Sequence, residues 1–193
     1  MPPLSAPSTK IVHSPRGIPI VRRAALFVIL AGFSTAVFAQ SAGAPELHFK
    51  DLSGKAHSLS EYQGKIVVLN FWATWCLPCR EEMPMLNRLA PKYTEKDIVF
   101  LAASLDDAET QPKIPAFLTK KKITLPVWTG ATPASLKQFD LGEILPATLI
   151  LDRDARPVFR IRGEASRKDI SSRLDWLLSD RLAKAPKPQL KNY

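Results

Sequence analysis

Cys76 and Cys79 are the only two cysteines in a chain of 193 residues, and they stand two residues apart in Phe71-Trp72-Ala73-Thr74-Trp75-Cys76-Leu77-Pro78-Cys79. A structural disulfide normally closes a long loop and removes much unfolded-chain entropy, whereas a bridge across two intervening residues constrains very little. The value of this pair is therefore expected to be chemical, a dithiol that exchanges with disulfides. A thiolate, not a thiol, attacks a disulfide, so the site must favour the charged sulfur. Cys76 falls where an apolar strand ends and a helix begins. There the first backbone N–H groups lack intrahelical partners and the helix dipole presents its positive end, and both favour a negative sulfur. A spacing of three along a helix puts Cys79 on the face of Cys76 but deeper in the turn. Cys76 is accordingly assigned as the nucleophile and Cys79 as the resolving thiol that releases product from the mixed disulfide. Pro78 fits because its missing N–H costs nothing in a first helical turn.

The elements that must position this pair are legible as periodicities. Ile66 to Trp72 is an apolar run rich in β-branched and aromatic residues, long enough for a central strand covered on both faces. From Cys76 to about Ala90, Met83, Leu86 and Ala90 recur at helical spacing, and Pro91 marks the end. Ile98 to Ser104 is a second strand, so strand, helix, strand implies a parallel crossover. Ahead of these, Glu46 to Lys50 and Ala56 to Leu59 around Ser53-Gly54 suggest a hairpin. Beyond them, Asp106 to Gly130 reads as an insertion with a helical piece at Phe117-Leu118 and a short strand at Val127-Trp128. Pro133 to Phe139 reads as a short helix. Ala147 to Leu151 and Val158 to Arg162 read as antiparallel strands joined at Asp152-Arg153-Asp154-Ala155. Ser166 opens a last helix with Asp169 as its capping partner and Ile170, Leu174, Leu177 and Leu178 as its buried stripe. The sum is an α/β fold built on one mixed sheet flanked by helices.

The first 39 residues carry Lys10, Arg16, Arg22 and Arg23 and no acid, then run uncharged from Ala24 to Ala39. This is the pattern of a signal peptide, with Val37-Phe38-Ala39 ahead of a cut near Gln40. The uncharged run spans 16 residues, short of the roughly 20 that cross a bilayer as a helix. Cleavage is therefore favoured, and an uncleaved anchor is the alternative. The long basic stretch also leaves room for a start further in, and Arg22-Arg23 for a twin-arginine signal, although two arginines usually form the positive flank alone. Export places the cysteines in an oxidising compartment, which closes them into a disulfide unless something keeps them reduced. The formal net charge is +9, but lysines and arginines are scattered among acids, which argues against a nucleic-acid partner. Lys120-Lys121-Lys122 reads as a solvated helix end. After Leu182, lysine and proline argue for a flexible basic tail over residues 184–193.

At Asn70-Phe71-Trp72-Ala73-Thr74-Trp75-Cys76-Leu77-Pro78-Cys79-Arg80-Glu81-Glu82-Met83-Pro84, at Leu145-Pro146-Ala147-Thr148-Leu149-Ile150-Leu151-Asp152 and at Leu59-Ser60-Glu61-Tyr62-Gln63-Gly64-Lys65, the chain resembles the thioredoxin superfamily. Within it the likeness is to the TlpA-like, cytochrome-c-maturation-type exported thiol:disulfide oxidoreductases, and it spans most of Glu46 to Leu182. The resemblance implies a thioredoxin fold over residues 40–183 with an added amino-terminal β-hairpin and a central insertion. Ordinary thioredoxins carry a buried Asp where this chain has Asn70, which cannot exchange a proton. The exported group has Glu at the position of Glu82, on the helical face of Cys79, where burial could raise its pKa enough for proton transfer with the thiol. Glu81 is read as solvent-facing.

Pro146 matches the proline that is cis in this fold and faces the dithiol. An X-Pro bond is cis only about one time in twenty in folded proteins, so the isomer is carried by the resemblance alone. Leu145 would then offer backbone groups to an extended substrate segment. Ile144 replaces a glycine common two residues before that proline. Trp72 is read as core, and Trp75 and Leu77 as docking surface.

A module binding Cu(I) or Zn(II) is the rival from another class. Structural zinc needs four ligands, and beyond the cysteines the mature domain offers only His48 and His57. A peroxidase of the same fold would want Thr where Ala73 stands. A disulfide-forming oxidant or isomerase is nearer in kind, but it usually sets a polar or cationic residue between its cysteines, whereas Leu77 is apolar. The expectation is a monomeric periplasmic reductant of protein disulfides with no cofactor and no metal. The resemblance implies apocytochrome c or copper-site assembly proteins as clients and a membrane-embedded thiol transporter as electron donor.

Overall fold

The computed structural model describes residues 47–187 and 189–190. The signal segment expected over residues 1–39 lies outside them, and no helix among the described residues is long and apolar enough to cross a membrane. The elements follow in the order β1 (Phe49–Asp51), β2 (Ala56–His57), β3 (Ile66–Trp72), α1 (Leu77–Leu89), β4 (Ile98–Ser104), α2 (Ile114–Lys121), β5 (Val127–Thr129), α3 (Pro133–Gln138), β6 (Ala147–Leu151), β7 (Pro157–Arg162), α4 (Arg167–Leu178) and β8 (Gln189–Leu190). The strands form one mixed sheet in the order β2-β1-β5-β4-β3-β6-β7-β8.

All seven residues of β3 are buried, because β3 is flanked on both sides and covered on both faces. It runs parallel to β4, with Ile66 opposite Ile98 and Trp72 opposite Ser104. It runs antiparallel to β6, with Val67 opposite Leu151 and Phe71 opposite Ala147. The alternation of a strand sends Ile66, Val68 and Trp72 into one core with Met83, Leu86, Ile114, Phe117, Ile170 and Leu174, under α1, α2 and α4. Val67, Leu69 and Phe71 enter the other, with Leu136, Phe139 and Leu149. Asn70 shares the parity of Val68 and Trp72, so it belongs to the face beneath α1. That placement decides the chemistry below.

The inserted segment is part of the sheet. Its strand β5 pairs parallel with β4 and antiparallel with β1, which ties the amino-terminal hairpin to the core. Helix α4 opens as expected: Asp169 N donates to Ser166 Oγ at 3.2 Å and Ser166 N to Asp169 Oδ2 at 2.8 Å. Beyond α4 the described residues make three contacts with the domain. Trp176 Nε1 donates to the Ala183 carbonyl at 2.8 Å, Arg173 Nη2 to the Lys187 carbonyl, and β8 pairs parallel with β7 through Ile161–Gln189 and Arg162–Leu190. Lysine and proline content measures the capacity to build a core. Pairing along a free strand margin draws on backbone groups instead, and composition does not register it.

The hairpin is fastened by His57, whose Nδ1 lies 2.9 Å from Glu61 and whose Nε2 lies 3.2 Å from Asp51, with the ring stacked on Trp128. Hydrogen bonds to Glu61 and Asp51 raise the His57 pKa above its ordinary 6.5. Hydrogen bonds from Ser53 and His57 lower that of Asp51, and His57 and Ser58 lower that of Glu61. The imidazolium contribution is complete below the unfolded histidine value and fades as pH rises through the folded one. The carboxylate contributions are complete above the unfolded acid values and fade as pH falls through the folded ones. The fastening is therefore strongest in mildly acidic solution. Wild type is expected to lose more thermal stability than His57→Gln between pH 5.5 and pH 8.5. Equal losses in the two melting series would show that the bridge contributes nothing.

Candidate active site

The site is assembled where β3 ends. Residues 73–75 leave the strand, and Cys76 adopts extended dihedrals (φ −83°, ψ 106°) as the N-cap of α1. Its Sγ accepts the backbone N–H of Cys79 at 3.3 Å, so sulfur fills the capping role that a serine or aspartate oxygen usually takes. The Arg80 N–H closes the first turn on the Cys76 carbonyl at 3.1 Å. The two cysteines are joined as a disulfide with Cα atoms 5.3 Å apart. Both are largely covered, Cys76 at 6 % and Cys79 at 1 % exposure. Cys76, at the amino end, is the less covered residue of the two.

A clamp holds the approach to Cys76. Asp106, just past β4, accepts the Thr74 backbone N–H at 2.9 Å, the Thr74 hydroxyl, and the Ser104 hydroxyl at 2.6 Å. The Leu105 N–H donates to the Trp72 carbonyl at 2.8 Å. Neither Thr74 nor Asp106 stands out in the sequence. The available signal was the parallel register of β3 and β4, which brings the residues after Trp72 beside those after Ser104.

Beneath the dithiol, α1 buries Cys79, Glu82, Met83, Leu86 and Leu89 on one face. Glu82, one turn beyond Cys79, is 2 % exposed, whereas Glu81 is exposed as expected. Glu82 Oε1 accepts the Ala165 N–H at 3.0 Å and Oε2 the Asn70 Nδ2 at 3.3 Å. Asn70 Nδ2 also donates to Thr148 Oγ1 at 3.0 Å, across to β6. The amide in place of a strand carboxylate thus leaves Glu82 as the acidic group under the dithiol, with Asn70 as its donor.

The Leu145–Pro146 peptide bond is cis. Ala147 pairs with Phe71, so Pro146 comes alongside Trp72, at the end of β3 from which the cysteine loop departs. Leu145 is half-buried, and among the described residues its backbone enters no hydrogen bond. Trp75, Leu77 and Ile144 are exposed at 59 %, 61 % and 40 %, an apolar surface beside the nucleophile. Trp72 is buried and packs on Phe117 with ring centroids 5.2 Å apart, the core role expected of it.

The chain that carries this arrangement is similar in sequence and in fold to known proteins. Residues 41–156 match the AhpC/TSA family. Thiol-disulfide oxidoreductase ResA of Geobacillus thermodenitrificans is 33 % identical over 151 residues, covering 77 % of this chain and 85 % of that one. ResA of Bacillus cereus is 36 % identical over 131 residues, covering 68 % and 74 %. Among solved structures, a thiol:disulfide interchange protein of the thioredoxin family from Chlorobium tepidum superposes with a TM-score of 0.59 at 25 % identity, over 71 % of this chain and 96 % of that one. StoA of Bacillus subtilis shares the fold, with a TM-score of 0.55 at 18 % identity over 66 % and 94 %. The chain belongs to the AhpC/TSA family, has the thioredoxin-like fold, and is a thiol:disulfide oxidoreductase.

Proposed function

We propose that the chain is a periplasmic reductant of protein disulfides, drawing electrons from a membrane-embedded thiol transporter. The observation that carries this reading is the covered dithiol capping α1 with Glu82 buried one turn behind it. In the reduced protein the Cys76 thiolate attacks one sulfur of a client disulfide, and the client's other sulfur leaves as a thiolate. Cys79, giving up its proton to Glu82, attacks Cys76 Sγ and expels the second client sulfur. The client gains two electrons, its two thiolates take one proton by way of Glu82 and one from solvent, where the Cys76 proton had gone, and the protein is left as the disulfide, to be reduced again by the donor. Leu145 pairs with the client backbone, Pro146 forms the wall of the cleavage site, and Trp75 and Leu77 cover the client's apolar side chains. The exposed apolar side chains and the unengaged backbone of Leu145 support that docking.

Export rests on the signal-like residues 1–39. The clients are cysteine pairs of apocytochrome c or of copper-site assembly proteins, as the family resemblance implies. Leu77 between the cysteines adds no charge that would hold a thiolate against oxidation, which supports reduction as the direction. Equilibration against a thiol buffer with alkylation readout tests it. The expected potential lies near the roughly −270 mV of reducing thioredoxins, and a value near the roughly −120 mV of strong oxidants makes the protein a disulfide donor instead.

A further inference from the structure

Beside the dithiol, between the first turn of α1 and the flank of α2, lies an open cleft of about 320 Å³ walled by Trp75, Arg80, Lys113, Phe117 and Lys120. Lys113 immediately precedes α2 with helical dihedrals (φ −80°, ψ −17°), so Lys113, Ala116, Phe117 and Lys120 follow the spacing of a single helix face. Arg80 extends over the Phe117 ring, its guanidinium carbon 6.0 Å from the centroid. Three cations thus surround an aromatic floor. No acid lines the cleft, and among the described residues no carboxylate pairs with any of the three. Elsewhere surface cations do pair, as in Lys137–Glu143, Arg156–Asp154 and Arg160–Asp140. Asp106, bound to the cleft residue Thr74, is buried and taken up by Thr74 and Ser104.

The charge of Lys113 does not serve its helix. A cation at the amino end of α2 opposes the helix dipole, and such local conflict is expected where a site demands it. Trp75 adjoins Cys76 and Arg80 adjoins Cys79, so a polypeptide bonded to Cys76 can set a residue two or three positions from its cysteine into the cleft, at about 3.3 Å per residue. The cleft also adjoins the exposed Trp75 and Leu77. A polypeptide can cover the cations and the apolar surface together, whereas a small anion covers only the cations.

We infer that this cleft selects protein clients carrying an acidic side chain close to the reactive cysteine. The inference rests on the proposed reduction of protein disulfides and adds the client's chemistry. Its test is the rate at which the reduced protein is oxidised by three disulfide peptides alike except for two Glu, two Gln or two Lys beside the cysteine. The Glu peptide is expected to react about tenfold faster than the Gln peptide at low ionic strength, and the Lys peptide slowest. The spread should narrow as salt shortens the screening length. Lys113→Glu with Lys120→Glu is expected to reverse the order while leaving the Gln peptide within about twofold, with the Gln pair at both positions as a milder variant that should erase the order. Equal rates for the three peptides, or an order unchanged in both variants, would overturn the inference. So would glutathione disulfide gaining as much as the Glu peptide, which would make the cleft a site for small anions. If none of the three peptides oxidises the wild-type protein, the reductase reading itself falls.

Discussion

Cys76→Ser is expected to abolish disulfide reduction, by more than about a thousandfold, while Cys79→Ser keeps the attack and stalls as a mixed disulfide. The asymmetry follows from position. Cys76 caps α1, its sulfur accepting the Cys79 N–H, and it is the less covered of the two at 6 % against 1 %. A client sulfur is therefore expected to meet Cys76 first, and Cys79, inside the first turn, to attack the Cys76 side of the mixed disulfide. Serine at position 76 still caps the helix through its hydroxyl, so the variant should fold and isolate the chemical loss. Insulin reduction measures turnover, and non-reducing electrophoresis with alkylation shows the trapped species. A Cys76→Ser protein with normal insulin-reducing activity would sink the mechanism.

Glu82 carries the second large effect. Glu82→Gln preserves shape and can still accept the Ala165 N–H, but it cannot take the Cys79 proton. The step that closes the Cys76–Cys79 disulfide is expected to slow by about a hundredfold, the lower range for a positioned acid–base group. Glu82→Ala goes further and leaves the buried Ala165 N–H without that acceptor, a loss of about 1–3 kcal/mol in stability. Rapid mixing of the reduced protein with a peptide disulfide between pH 5 and 9 gives the profile, and thermal unfolding gives the stability. A Gln variant whose profile overlays that of wild type would reduce Glu82 to a structural role.

The sequence made some of this legible and withheld the rest for identifiable reasons. The seven-residue run of β3, the apolar stripe of α1 and the Ser166–Asp169 box are local patterns, and each appears within a residue or so of where its spacing put it. Helix α1 begins one residue later than its pattern suggested because Cys76 serves as its cap. Glu82 was ambiguous from spacing, since an exposed glutamate has the same helical phase. Only the parity of Asn70 on β3 and the approach of Ala165 show it to be enclosed. The Thr74–Asp106 clamp joins residues 32 apart, and the basic cleft combines α1 with a face of α2. Lys120 reads from sequence as a mere helix end because nothing within its own segment reveals what stands opposite. The backbone pairing of β8 was hidden for a different reason, since it draws on no side-chain preference.

That last strand bears on how the protein tolerates its own company. Among the described residues the sheet terminates in β2 on one side and β8 on the other, each two residues long. Without β8 the six residues of β7 would stand as the outermost strand, a template along which a second copy could zip. With it, the Ile161–Arg162 end of β7 is paired and the free run on that margin is shortened to Pro157–Arg160, which weakens it as a seed for polymerisation. With Trp75, Leu77 and Ile144 exposed, the protein already carries an adhesive surface. Shortening the sheet margin leaves less competing adhesion away from the place where a cysteine waits.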